Sequence, residues 1–212
     1  MKKFIVLVII TISMCALAFG QKAKPASANK EMIVNDYFLQ IPEEYIKADV
    51  RKRAGWIDTD NNADGYLDFT IPFSELDVEG GEDANAFGSM QLFPKKKGGV
   101  IVGLALNMCI DKVCQGQLLF LDYNGGKWDN ITDTLNVTAD NEEIVKLLNN
   151  SPAIDKTFGE GEEVPLAMDF YGPEKLVRFL ADCKESIDGG VVAKMYKWNG
   201  ESFVEFEYPE GL

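Results

Sequence analysis

The chain has no histidine anywhere in its 212 residues. Ser-His-Asp and Cys-His nucleophiles, HExxH zinc sites and imidazole proton shuttles all need that side chain, so none is available. Cysteine is scarce too. Of the four present, Cys15 lies in the leader described below, which leaves too few thiolates for a four-cysteine zinc site. Positive charge is the third shortage: 21 Lys and Arg stand against 34 Asp and Glu, a net charge of −13. Such a field repels phosphate backbones and anionic membrane surfaces, and no basic stripe interrupts it. It argues against nucleic acid and favours cationic partners and divalent cations. Carboxylate chemistry, oxygen-ligated metals or no catalysis remain.

The longest apolar run stands at the beginning, and no other stretch approaches the length of a membrane span. Lys2 and Lys3 precede a nearly unbroken apolar stretch at 4–12, and Ala18 and Gly20 are the small residues of a cut before Gln21. A spanning helix needs about 20 apolar residues, whereas this run is shorter and is interrupted by Ser13 and Cys15. We therefore read 1–20 as a secretory signal peptide. Lipid anchoring through Cys15 is disfavoured because Met14 stands where a lipobox has a small residue. The expected location is extracytoplasmic, periplasmic or secreted, with no membrane span after cleavage. Loss of Lys2 and Lys3 moves the charge from −13 to −15, since residues 1–20 hold no Asp or Glu. Residues 21–35, which open with a polar stretch containing Pro, Ala and Ser, read as a disordered leader. Residues 36–212 then suit a single domain, or two halves at about 36–149 and 165–212.

The expected fold class is α+β: antiparallel meanders and hairpins with two or three packed helices. Pro42 with Glu43 and Glu44 suits a helix start, and Lys52 and Arg53 its end, closed by Gly55. Residues 66–71 alternate as a strand. Strands are expected at 89–93, at 100–108 (almost continuously apolar, hence a core position) and at 117–123, with a return over 128–135. Asp140 followed by Glu143 has the form of a helix cap, with Ile144, Val145, Leu147 and Leu148 as the apolar face. A second helix is expected to open at Pro173, with Leu176, Val177, Phe179 and Leu180 on one side. Residues 191–208 form a last hairpin around Asn199-Gly200.

Tyr123-Asn-Gly-Gly-Lys-Trp128-Asp-Asn-Ile131 and Trp198-Asn-Gly-Glu-Ser-Phe203-Val-Glu-Phe206 share one pattern. Aromatics packing across two hairpins explain it, and so does an old duplication.

The best-formed motif is the loop from Asp60 to Asp68. Asp60, Asn62 and Asp64 present oxygens at alternate positions, Gly65 permits a sharp turn, the Tyr66 carbonyl is a further ligand, and Asp68 takes the ninth place. This is similar to the DxDxDGxxD calcium loops of EF-hand-like and FG-GAP-type extracellular proteins, and Ca2+ is the cofactor it implies. Ile71 replaces the bidentate Glu of an EF-hand, and a strand follows instead of a helix. A plain Asx-rich turn is the competing reading. Cys109 and Cys114 bracket four residues and suit a disulfide across a hairpin in an oxidising compartment. Three pairings are open among Cys109, Cys114 and Cys183; with the first two joined, Cys183 is the odd thiol, read as a small buried hydrophobe. Trp56, Trp128 and Trp198 are either core residues or sugar-stacking surfaces.

The order of Tyr37-Phe38-Leu39-Gln40-Ile41-Pro42, Gly65-Tyr66-Leu67, Leu92-Phe93, the pair Cys109 and Cys114, and the tract 120–132 resembles a group of small, uncharacterised secreted bacterial proteins. The likeness spans about 36–135 and brings no activity with it. The expected function is a non-catalytic binding or structural domain, stabilised by calcium if the loop is loaded. The alternatives are a carboxylate-dependent hydrolase of envelope polymers and an acidic inhibitor of a cationic secreted enzyme, using the loop at 75–83.

Overall fold

The computed structural model describes residues 32–59, 65–75, 84–110, 113–151, 154, 157–159, 161–172, 174–181 and 190–207. They fall within one compact unit, Met32–Leu212. Two antiparallel meanders form it. The first sheet has the order β1 (Tyr66–Ile71), β2 (Asn85–Pro94), β3 (Val100–Ile110), β4 (Val113–Asn124), β5 (Lys127–Asn130). The second is β6 (Leu166–Tyr171), β7 (Leu176–Ala181), β8 (Val191–Trp198), β9 (Phe203–Glu205). Three short α-helices are described: α1 (Val34–Gln40), α2 (Val50–Ala54) and α3 (Asn141–Asn149). The architecture is therefore mainly β, and the α+β expectation gave helices too much weight.

The correction centres on residues 176–180. They form strand β7, not a helix. The spacing of Leu176, Val177, Phe179 and Leu180 fits a helical face, yet a strand buried on both sides leaves the same pattern. All four are buried here. Lys175, at φ 55°, turns the chain after β6. β6 itself was not anticipated. At the other end, α1 starts at Val34, so the folded part begins before 36. The helix expected from Pro42 is only α2, capped by Asp49, whose carboxylate accepts from the backbone N–H groups of Arg51 and Lys52. Those bonds hold the Asp49 carboxyl below the usual carboxylate range.

The first sheet is covered on both faces, which explains the unbroken apolar run of β3. On one face Leu67, Phe69, Met90, Val102, Leu104 and Leu121 pack against Val34, Phe38 and Ile41 of the α1 region. On the other, Phe93, Ile101 and Phe120 meet Phe170, Phe179, Trp198 and Phe203 of the second sheet. Glycine permits this approach at Gly103, where a Cβ would lie 2.6 Å from the Phe170 ring and 2.7 Å from that of Phe93. Arg53, only 2% exposed, ties α2 to the end of α1 by donating to the carbonyls of Phe38 (3.0 Å) and Ile41 (2.6 Å). Cations are favoured at that helix end.

Two strand edges are closed, one by side chains and one by backbone. The open edge of β6 is closed by the first sheet: Asn107 donates to the Met168 carbonyl (2.7 Å) and accepts from the Met168 N–H (2.8 Å), and Ser89 Oγ accepts from Phe170 N–H. The outer edge of β1 is covered by the segment at 56–58, with Asp58 N–H bonded to the Asp68 carbonyl and Thr70 N–H to that of Trp56. Unpaired edges invite association with other chains, and these contacts remove the invitation.

Candidate binding surface

Asp60, Asn62 and Asp64, three of the five residues expected to hold calcium, lie outside the described residues. Tyr66 and Asp68 open β1. Leu67, between them, is fully buried, as an anchor for the loop would be. The Asp68 carboxylate accepts from the Tyr66 hydroxyl at 2.5 Å. Burial, with Asp68 adding to it, pushes that hydroxyl well above the ordinary tyrosine range. Among the described residues no cluster of three or more carboxylates or thiols is placed to hold a metal ion.

Asp169 and Arg178, directly opposed on β6 and β7, extend the polar cluster around Tyr66. Asp169 is 3% exposed and accepts from Arg178 through both oxygens, Nε at 2.8 Å and the second guanidinium nitrogen closer still. The guanidinium also lies over the Tyr171 ring at 4.8 Å. Asp169 raises the basicity of Arg178. A glycosidase acid needs a carboxyl in an apolar enclosure that favours its protonated form. Asp169 instead meets a guanidinium, so its geometry is structural.

Cys109 and Cys114 form the disulfide. They stand opposite each other in the β3–β4 register, 2% exposed, against Phe87, Ala167 and Leu180. Closing so short a loop contributes roughly 2 kcal/mol on the chain-entropy view. The double variant Cys109→Ala/Cys114→Ala is expected to lose that amount in urea unfolding. Unfolded and reduced wild-type chain, refolded under reductant, should show the variant's midpoint. Equal midpoints for oxidised wild type and variant would count against a stabilising crosslink. Cys183 lies outside the described residues.

The tryptophans divide. Trp56 and Trp198 are core, 7% and 8% exposed, and Trp198 donates to the Pro94 carbonyl. Trp128 is half-buried at the β4–β5 hairpin, its ring 4.8 Å from Tyr123 and 6.5 Å from Tyr37. The two similar segments both form hairpins. Tyr123 opposes Trp128 as Trp198 opposes Phe203, with ring centroids 4.8 and 4.9 Å apart. Cross-strand aromatic packing thus accounts for the repeated pattern.

The surface that sequence reasoning missed lies between α3 and the β8–β9 ribbon. A groove of about 340 Å³ runs there. Ala193 and Met195 are buried beneath it, while Leu147 and Val192 remain 40% and 37% exposed. Phe206 adds an aromatic wall, and Glu143, Glu205 and Glu207 line the groove as well. α3 is held by Asp140, which accepts from the Glu143 N–H at 3.0 Å, the cap its sequence indicated. Lys194 bonds Glu143 at 2.7 Å and lies 3.5 Å from Glu205. Glu143 raises its basicity most. No sequence signal marks this site, because α3 and β8 lie some fifty positions apart and their juxtaposition is tertiary.

No protein-family model matches the chain, and no curated protein matches it either. Among solved structures it is similar to a domain of an uncharacterized protein from Porphyromonas gingivalis W83, with a TM-score of 0.50 and 10% identity. That match covers 82% of this chain and 97% of the other. A likeness at this identity concerns the fold alone.

Proposed function

We propose that the chain is an exported, non-catalytic binding domain whose ligand surface is the groove between α3 and the β8–β9 ribbon. The carrying observation is the half-exposed pair Leu147 and Val192 beside that groove, in a fold whose strand edges at β1 and β6 are closed. Apolar surface left open in a concave place is where a ligand gains most from desolvation. The hydrolase alternative finds little support there. Glu143 and Glu205 are 56% and 57% exposed and share the Lys194 ammonium, without the enclosure a general acid requires. The inhibitor alternative relied on residues 75–83. Glu75 pairs with Lys52, and 76–83 lie outside the described residues.

Selection of a random-sequence peptide library on the immobilised chain tests the reading. Enriched peptides are expected to lose most of their binding when Leu147→Asn and Val192→Thr are combined. Peptides held equally well by wild type and variant would place the binding surface elsewhere.

Calcium belongs to this reading as a stabiliser of the loop at 60–68. Millimolar calcium is expected to raise the melting temperature, and a chelator to lower it. If Asp64→Ala responds to calcium as the wild type does, the loop is a plain turn.

A further inference from the structure

We propose that this groove receives an apolar side chain carried on a lysine- or arginine-rich segment of a protein partner, with the rim glutamates pairing with the flanking cations. The inference rests on the reading that the groove is the binding surface, and adds the chemistry of the occupant.

Charge decides it. Three carboxylates line the groove, and Lys194 is the one cation among its lining residues. Its side chain is only 13% exposed and is drawn inward onto Glu143 and Glu205, whose own side chains stay more than half exposed. Glu207 is exposed as well. With three carboxylates against one ammonium the groove's lining is net negative, within a chain whose net charge of −13 extends the same field. Lys197, over the Phe206 ring at 5.1 Å, already covers one aromatic face. A new apolar side chain therefore meets Leu147 and Val192 instead.

Size and sign exclude the other occupants. At about 340 Å³ the space is near the small end of ligand pockets, so it admits one or two side chains of a segment. A second copy of this chain brings like charge, which disfavours association. Residues 208–212 contain Glu210 and no base, so they do not supply the positive charge that the rim glutamates favour. A cationic segment gains attraction at long range and loses apolar surface at contact.

The probes are two synthetic peptides, Lys-Leu-Lys-Phe-Lys-Leu-Lys and its counterpart with Glu at every Lys position, titrated by fluorescence anisotropy onto the full mature chain. The lysine peptide is expected to bind, and the glutamate peptide not. Combining Glu143→Gln, Glu205→Gln and Glu207→Gln should weaken the lysine peptide by about tenfold or more, as should raised salt. Leu147→Asn with Val192→Thr keeps every charge and should weaken it by a similar factor. This separates the groove from general attraction to an acidic protein. Glu207→Gln alone, away from the Lys194 pairs, repeats the charge test if the triple variant melts early.

If the glutamate peptide binds as well as the lysine peptide, or the charge variants change nothing, the cationic partner is wrong. The groove reading then still stands, provided the Leu147/Val192 variant abolishes binding. If that variant binds as wild type does, the groove itself falls. A chain ending at Glu207 that binds the lysine peptide tenfold more tightly than the full chain would make residues 208–212 the occupant and overturn the proposal. So would failure of the lysine peptide to bind at all.

Discussion

Replacing Asn107 with alanine is expected to destabilise the protein by about 3 kcal/mol, and replacing it with leucine by at least as much. The side chain is 4% exposed, and its amide pairs with both the N–H and the carbonyl of Met168, at 2.8 and 2.7 Å. It behaves as one rung of a β-ladder supplied by a side chain. Net hydrogen-bond gains are small, but a buried group left without a partner costs about 1–3 kcal/mol. Here two backbone groups of β6 would be left. Leucine keeps roughly the volume of the side chain and restores neither bond, so shape alone cannot rescue it. Gly116 is the companion residue. A Cβ there would lie 2.4 Å from Asn107 Oδ1 and 3.1 Å from Met168 N, so Gly116→Ala should cost stability through the same contact. Urea unfolding measures the loss, and hydrogen exchange at the Met168 amide locates it. A loss under about 0.5 kcal/mol for both Asn107 variants, within the range of ordinary surface changes, would mean the pairing does not hold the second sheet.

Asp169→Ala is expected to cost about 2–3 kcal/mol. Removing one partner of a buried ion pair usually costs about 3–5 kcal/mol, because the other charge stays desolvated. Arg178 retains 26% exposure, so water can take up part of its charge, and the figure is reduced accordingly. A double-mutant cycle separates pair from penalty. Adding Arg178→Met to Asp169→Ala should recover stability relative to Asp169→Ala alone, since the stranded cation is gone. If the double variant is less stable than the single one, Arg178 contributes through its packing over Tyr171 more than through its charge. The cycle also reports on the neighbourhood of Tyr66 and Asp68, at the start of β1.

Much of the first sheet was legible because its signals are local. Residues 66–71 alternate and form β1 with the expected bounds. The turn at 94–99 and the Asn-Gly hairpins sit where their backbone requirements put them, with Gly98, Gly99, Gly125 and Gly200 all at positive φ. Closeness in sequence favoured the pairing of Cys109 with Cys114 among three possibilities, and the structure forms it. The second sheet was harder to read. β7 has apolar residues on both faces, so its sequence has no strand period, and a nearby proline suggested a helix start. β6 was overlooked because Asp169 interrupts its apolar pattern. Arg178 accounts for that carboxylate, and its position opposite Asp169 is a matter of strand register.

By itself, the order of residues determined the excluded chemistries, the acidic field and the hairpins, and it favoured Cys109 with Cys114 among three possible pairings. These depend on which side chains exist or on neighbours within a few positions. Tertiary structure alone decided that Asn107 closes the edge of β6 and that Gly103 lets two sheets touch. It also decided that Leu147 and Val192 open onto one groove beneath three glutamates. Each joins residues tens of positions apart, and local preferences of the backbone carry no information about such meetings. Only packing, which removes apolar surface from water and must then satisfy every polar group it buries, selects among them.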